Sequence, residues 1–426
     1  MTITTAGSGL APARAVLSNG AVVIAQETSM TPAVTISAVF RAGSMYEPKE
    51  LAGLSYLTGR VMDRGTERRT AAMIAQELDD RGVSLKISTN RHNLALSTTC
   101  LAEDFDEVLD IVLDVARSPV FPEEEIVKRR AEAVTAVRQD QDNPAVLAVQ
   151  GLMALLYGDL HPYGRPVKGT AEILERISRR DIVRFHGSRV GPSSLTLVIA
   201  GDVRGQQAIE GSRAQLEEWQ TAAIPRTELP AVPSTGPRRE RSIVMSGKAQ
   251  SDIAYGFTTI PRLDPRYYAY WMMNNILGQF GLGGRLADNV RERQGMAYYT
   301  YSSFDPAPAQ APLIIRAGVD PANVRRAIAA IDHEVDSLGA DGPTEQELAE
   351  TRDFLVGSIP RLLETNQSIA TFLQLAEEFQ LGLDFDRRLP GLLRQVTLEE
   401  VRAAAREALQ TSRASVVVAG PQETFV

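Results

Sequence analysis

Ile177-Ser-Arg-Arg-Asp-Ile-Val-Arg-Phe-His186 leads into Ser193-Ser-Leu-Thr-Leu-Val-Ile-Ala-Gly-Asp-Val203. Val396-Thr-Leu-Glu-Glu-Val-Arg-Ala-Ala-Ala-Arg406 leads into Arg413-Ala-Ser-Val-Val-Val-Ala-Gly-Pro421. Both stretches are one pattern: a charged segment with apolar residues at helical spacing, then a short β-branched run closed by Ala-Gly. Val416–Ala419 lies 219 positions beyond Leu197–Ala200, and Val396 lies the same 219 beyond Ile177. A third pair agrees within two residues, Pro122-Glu-Glu-Glu125 against Pro343-Thr-Glu-Gln-Glu347 at offset 221. Three matches in one order at a nearly constant offset identify a duplicated domain.

The join between the copies is legible too. Residues 222–242 read AAIPRTELPAVPSTGPRRERS, with Pro225, Pro230, Pro233 and Pro237. Repeated prolines remove backbone donors and oppose both helix and sheet, so this segment reads as a semi-rigid connector. The expected organisation is a first domain over 1–221, a linker over 222–242 and a second domain over 243–426.

Within the first copy, Ala21–Gln26, Ala33–Phe40, Ser84–Thr89, Leu94–Cys100 and Leu195–Ala200 read as strands, rich in β-branched residues and often alternating. Phe105, Val108, Val112 and Val115 mark one helix, and Val324, Ile328, Ile331 and Val335 another. Helices with a single apolar stripe suit packing against a sheet. The expected fold class is α+β: two tandem homologous α/β sandwiches, each a mixed, mainly antiparallel sheet with helices on one face. Long helical stretches between groups of strands argue against a Rossmann arrangement.

The chain has 426 residues, 44% hydrophobic and 23% charged, with formal net charge −8 and pI near 5.3. That length exceeds one ordinary core. The acidic balance argues against a general nucleic-acid binder, which needs a basic face to neutralise phosphates. There are four His (His92, His161, His186, His333), no two within five residues of each other, and one Cys, Cys100. Local His–His metal motifs, thiolate zinc sites, CxxC redox pairs and internal disulfides are therefore absent. The first 14 residues lack the basic and apolar regions of a signal peptide, and no run approaches the ~20 apolar residues of a membrane span. The expectation is a cytoplasmic protein with no membrane and no nucleic-acid partner.

Two stretches carry candidate chemistry. The first runs from Ala42-Gly-Ser-Met-Tyr-Glu-Pro48 to Gly53-Leu-Ser-Tyr-Leu-Thr-Gly-Arg-Val-Met-Asp-Arg-Gly-Thr66. It resembles the pitrilysin-like (M16) family of zinc peptidases, which includes the mitochondrial processing peptidases. There a glycine-led turn precedes a helix reading GLAHFLEHMLFKGT. That helix carries an inverted H-x-x-E-H motif, in which two His one turn apart bind zinc and the Glu activates water. Here Gly53-Leu54 and Gly65-Thr66 frame the same segment, but Tyr56 stands for the first His, Gly59 for the base and Arg60 for the second His. Anchoring on Asp142-Asn143-Pro144 places Ala136 at the third, glutamate ligand and Arg129 at a neighbouring Glu. The resemblance therefore implies a retained scaffold with no metal ligands and no cofactor in this chain.

The second stretch is Leu277-Gly-Gln-Phe-Gly-Leu-Gly-Gly-Arg-Leu-Ala-Asp-Asn-Val-Arg-Glu-Arg-Gln-Gly-Met-Ala-Tyr-Tyr-Thr-Tyr301. It resembles the family's second-domain motif, commonly SRLFxxLREKxGLAYxVxS, whose Arg and Tyr lie seven apart. Arg291 and Tyr298 fill those positions. The resemblance implies that they bind substrate backbone and stabilise the tetrahedral intermediate at a zinc site facing them; without that frame, they read as a solvated helix Arg and a strand Tyr packing its ring. Gly278, Gly281, Gly283 and Gly284 lack the spacing of either a P-loop or a dinucleotide fingerprint. By resemblance to the glycine-rich loop of the non-catalytic processing-peptidase subunit they are candidate substrate contacts; by composition alone they are a turn that tolerates positive φ. His161 sits in a Gly158-to-Thr170 segment similar to a structural loop of the family. The other three His read as surface or interface residues.

The resemblance implies the non-catalytic subunit of a heterodimeric zinc peptidase. A homologous chain with an intact H-x-x-E-H motif would hold the zinc, and this chain would lend Arg291 and Tyr298 to hydrolysis of peptide substrates. The rival readings are a structural subunit without activity and a peptide-binding homodimer.

Overall fold

Leu195-Thr-Leu-Val-Ile-Ala-Gly201 does not alternate apolar with polar, and every residue of it is buried. A run of that kind needs cover on both faces of a sheet, and the fold supplies it. The computed structural model describes residues 9–225, 228–233, 236–279 and 283–421. Among these residues two sheets are present. The first holds β1 (Ala13–Val16), β2 (Val22–Glu27), β3 (Ala33–Phe40), β4 (Lys86–Thr89), β5 (Leu94–Leu101) and β6 (Leu195–Gly201), in the order β1-β2-β6-β3-β5-β4. The second holds β7 (Arg239–Val244), β8 (Ser251–Thr258), β9 (Ala297–Phe304), β10 (Pro312–Val319) and β11 (Ser415–Gly420), in the order β7-β11-β8-β10-β9.

The two orders are one topology. β2·β6 and β7·β11 are the parallel pairs, and the pairs that follow them are antiparallel. β8 begins 218 residues after β3 and β10 the same 218 after β5, so the duplication read from sequence is a duplication of structure. The first copy carries helices α1 (Leu54–Val61), α2 (Ala71–Asp79), α3 (Phe105–Arg117), α4 (Glu123–Gln141), α5 (Pro144–Tyr157), α6 (Ala171–Leu174), α7 (Arg179–Arg189) and α8 (Gly205–Leu216). The second carries α9 (Tyr267–Asn274), α10 (Val324–Asp341), α11 (Glu345–Leu362), α12 (Asn366–Glu378), α13 (Phe385–Gln395) and α14 (Leu398–Ala408). The strand and helix segments expected from periodicity are present within one or two residues, except that α10 runs on to Asp341; the edge strand β1, only four residues long, escaped that reading.

The chain folds into two compact units. One comprises Met1–Val137, Pro166–Glu228 and Ile359–Arg388; the other comprises Arg138–Arg165, Leu229–Ser358 and Leu389–Val426. Relative to the sequence halves, one segment is exchanged in each direction. In the first unit, α1, α3 and α7 bury Leu54, Leu57, Val108, Val112 and Ile182 against Val23, Ile36, Phe40 and Leu197. The other face of that sheet is closed by α12, whose Ile369, Ala370 and Leu373 cluster with Ile24, Val198 and Ala200. Each large apolar side chain buried there contributes about 1.5–3 kcal/mol. In the second unit, Tyr255 of β8 reaches α10 on one face, its hydroxyl 2.9 Å from Asp332. Adjacent Gly256 lies under Leu152 of α5 on the opposite face. Gly151 of α5 comes so close to β11 that a Cβ would stand 3.0 Å from Val417. β6 and β11 are thus buried throughout because each is sandwiched between its own helices and one helix from the other copy.

No helix among the described residues is long and apolar enough to cross a membrane. His161 is buried in a ring cluster with Tyr157 and Tyr163, at 5.1 and 4.8 Å, as the loop-packing expectation had it. His186 departs from its surface expectation: it is buried, with Nε2 2.8 Å from the Ala116 carbonyl and its ring edge-on to Phe121. His333 is exposed and His92 half-buried.

Candidate functional site

Helix α1 starts at Gly53, whose φ of +99° favours glycine. The buried carboxylate of Glu47 accepts hydrogen bonds from the Gly53 and Ser55 amides at 2.8 and 2.9 Å, at the positive end of the helix. Leu54, Leu57 and Val61 anchor α1 in the core, which turns Tyr56 and Arg60 toward α4. There Arg60 Nη2 donates to Glu132 Oε2 at 2.8 Å, and Nη1 lies 3.4 Å from the Tyr56 hydroxyl. Glu132 also receives Arg129 Nη1 at 2.7 and 2.8 Å. Its carboxyl is held below the usual range, first by the hydrogen bond from Arg129 and then by Arg60. Ala136 follows one turn later on the same helix.

This donor set does not fit zinc. The positions on α1 and α4 where ligands would converge present a phenol, a guanidinium and a methyl group. Glu132, the carboxylate that Arg60 meets, is already claimed by two arginines. Among the described residues no three His, Cys, Asp or Glu are grouped to hold a metal ion. At the position of the base, Gly59 faces β4, and a Cβ there would sit 3.0 Å from the Thr89 hydroxyl. Glu132 is the residue that sequence reading passed over; its spacing of 72 from Arg60 carries no local signal.

In the second unit the corresponding connection, β8 to β9, contains among its described residues two π-helical segments, Asn275–Gln279 and Ala287–Arg293. Such turns are rare and concentrate at functional sites. Together with β9 they wall a cleft lined by Gly278, Gln279, Ala287, Arg291 and Tyr299 to Ser302. Arg291 is about half-exposed, its side chain at 46%, and its ion-pair partner among the described residues is the adjacent Glu292, at 3.5 Å. Tyr298 is 66% exposed and sits on β9 where the register with β10 shifts. Ala297 pairs with Val319 and Tyr299 with Gly318, so Tyr298 is the bulged residue. Bulges re-aim side chains, and Tyr298 is not among the residues lining the Arg291 cleft. Tyr299 and Tyr301 are there instead. The Tyr299 hydroxyl donates to Asp252, and both burial and that carboxylate raise its pKa. The Tyr301 hydroxyl accepts from Arg316 Nη1 at 2.8 Å.

The glycines separate by role. A Cβ on Gly278 would meet Leu286 at 2.7 Å and the Ser302 amide at 2.8 Å; one on Gly284 would meet Gly278 at 2.9 Å. Both are needed so that the π-helical turn can lie against β9. Gly283 is exposed. Gly281 lies outside the described residues.

Residues 22–171 match the family model described as insulinase (peptidase family M16), and residues 176–355 match the peptidase M16 inactive domain. The chain belongs to peptidase family M16. An uncharacterized zinc protease of Mycobacterium tuberculosis is 28% identical to this M16 chain over 425 residues, covering 97% of it and 94% of the relative. One from Streptomyces coelicolor is 25% identical over 417 residues, covering 96% and 89%. A crystal structure of a peptidase M16 inactive domain from Pseudomonas fluorescens has the same fold, at TM-score 0.90 and 23% identity over 97% of this chain and 98% of that one. A protease from Helicobacter pylori superposes at TM-score 0.88 with 17% identity, covering 96% and 99%. Within the family, the residues at the metal positions make this M16 chain a member of the non-catalytic type.

Proposed function

We propose that this chain is the non-catalytic subunit of a two-chain M16 peptidase. A homologous chain with an intact H-x-x-E-H motif supplies zinc and the water-activating Glu; this chain supplies Arg291 and Tyr298. The observation that carries the reading is a contrast between two arginines. Arg60, at the metal position, is neutralised by Glu132 at 2.8 Å. Arg291 keeps a half-exposed guanidinium beside a cleft with no carboxylate among its described lining residues.

Chemically, the Arg291 guanidinium hydrogen-bonds a peptide carbonyl of the bound substrate. That guanidinium and the exposed Tyr298 hydroxyl donate to the oxygen that gains negative charge as the tetrahedral intermediate forms. Donors placed in advance around a developing oxyanion are worth the most where water is scarce. Gly278 and Gly284 serve the same site by bringing the π-helical turns onto β9, with Gly283 and Gly281 as candidate substrate contacts.

The test is reconstitution. Alone, the chain hydrolyses no fluorogenic peptide; with an H-x-x-E-H homologue encoded beside it, activity appears. In the assembled enzyme Arg291→Ala lowers kcat/KM by about 10²–10³-fold, the range for loss of one oxyanion donor, and Tyr298→Phe lowers it by a smaller factor. Unchanged activity in both variants would remove the pair from the mechanism.

A further inference from the structure

We propose that the cleft beside Arg291 captures the carboxyl-terminal residue of a peptide, its free carboxylate on Arg291 and its apolar side chain on Tyr299 and Tyr301. This rests on the reading above and concerns binding by this chain alone, where a terminal carboxylate takes the place on Arg291 that a peptide carbonyl takes in the assembled enzyme.

The charges around the cleft set the first half of the argument. No Asp or Glu is among the described residues that line it. The carboxylate behind it, Asp252, is engaged by the Tyr299 hydroxyl. A second cation, Arg316, stands behind Tyr301, its guanidinium 5.7 Å from the ring centroid and Nη1 on the hydroxyl at 2.8 Å. The two guanidiniums stand against two carboxylates, Asp252 and Glu292, neither of which is among the described residues lining the cleft. Arg291 is the cation that an incoming group can reach, because Glu292 holds it only at 3.5 Å. An arginine fork pairs best with a planar carboxylate, through charge-assisted and potentially bidentate hydrogen bonds.

The rings set the second half. Tyr299 and Tyr301 are 6.0 Å apart and tilted by 38°. Each hydroxyl is tied down, Tyr299 to Asp252 and Tyr301 to Arg316, so the rings are fixed before any ligand arrives. Fixed aromatic faces take up apolar side chains with little loss of conformational freedom. A carboxyl-terminal Phe or Leu offers carboxylate and apolar group from one Cα and can satisfy both features at once. An Asp or Glu side chain offers the carboxylate alone.

The experiment uses the lone full-length chain and fluorescence anisotropy. Three fluorescein-labelled octapeptides of Gly, Ser and Ala serve as probes: one ending in Phe with a free carboxylate, the same peptide amidated, and an amidated peptide ending in Glu. The free acid is expected to bind at least tenfold tighter than its amide. Arg291→Gln is expected to abolish that preference while thermal unfolding of the variant matches the parent. Equal binding of acid and amide, or a preference that survives Arg291→Gln, overturns the proposal. Binding of the amidated Glu peptide as tightly as the free acid overturns it in favour of acidic side chains. Neither zinc nor a partner enters this measurement, so its failure leaves the peptidase reading intact, and failed reconstitution leaves the binding result readable.

Discussion

The connection from β3 to β4 in the first unit and that from β8 to β9 in the second occupy the same place in one topology. Each holds an arginine where the family places chemistry, yet the two are used in opposite ways. Arg60 stands on a regular helix anchored by Leu57 and Val61, and its charge is spent on Glu132. Arg291 stands on a π-helical turn at an edge strand and is left facing solvent. Duplication thus supplied one frame twice, and the choice of residues around each arginine decided which copy can still meet a ligand. A cation inside an ion-pair array is scaffold. A half-exposed cation beside fixed rings keeps what recognition of a ligand requires.

That contrast can be broken in graded steps. The largest effect belongs to the assembled enzyme, where Arg291→Ala should lower activity by about 10²–10³-fold and Arg60→Ala should leave it within about twofold, both read as kcat/KM. If Arg60→Ala is the more damaging, the assignment of roles is reversed. A second test asks whether the first unit has lost only its ligands. The triple variant Tyr56→His, Arg60→His, Ala136→Glu is expected to bind one zinc per chain by calorimetry, because Arg60 and Glu132 already show α1 and α4 within bonding distance. Failure to bind would mean that the frame has shifted as well.

Glycines give the next step down. Gly278→Val places a side chain against the Ser302 backbone, which cannot yield, and should destabilise the second unit by about 1–3 kcal/mol, the range for overpacking. Gly59→Ala meets only the Thr89 hydroxyl at 3.0 Å and gains about 1 kcal/mol of helix propensity. Its net change should stay within about 1 kcal/mol in chemical denaturation. The smallest effect is that of Glu132→Gln. The pairs it removes are partly exposed and are worth at most about 1 kcal/mol at neutral pH. Because the folded-state pKa of Glu132 is depressed, that contribution is present above the unfolded carboxylate value of about 4.3 and disappears as pH falls through the folded value. Wild type and variant should therefore converge in stability as pH falls below the folded-state value; a gap that widens toward acid would contradict the sign of the shift.

Much of this was legible in the sequence for physical reasons. The duplication showed because Leu197–Ala200 and Val416–Ala419 must be apolar on both faces, which leaves little freedom for drift. The loss of metal ligands showed because Tyr56, Gly59, Arg60 and Ala136 fall inside a frame held by Gly53, whose positive φ only glycine accepts readily. What stayed hidden was long-range. The exchange of α5 and α12 cannot be read locally, since an apolar stripe does not say which sheet it will cover. The Arg60–Glu132 pair spans 72 residues and has no periodic signature. Tyr299 and Tyr301 were visible as residues, but a bulge at Tyr298 decides which tyrosines face the cleft, and register shifts are set by pairing with β10.

The exchanged helix also sets a timetable for synthesis. The first sheet gains its last strand at Gly201, yet the face bearing Ile24, Val198 and Ala200 waits for α12, which ends at Glu378. At ribosomal rates of roughly 5–20 residues per second, the intervening 177 residues (378 − 201) take about 9–35 s to emerge. Throughout that interval the finished sheet carries an uncovered apolar face, which ties completion of the first unit to a stretch translated long after its last strand.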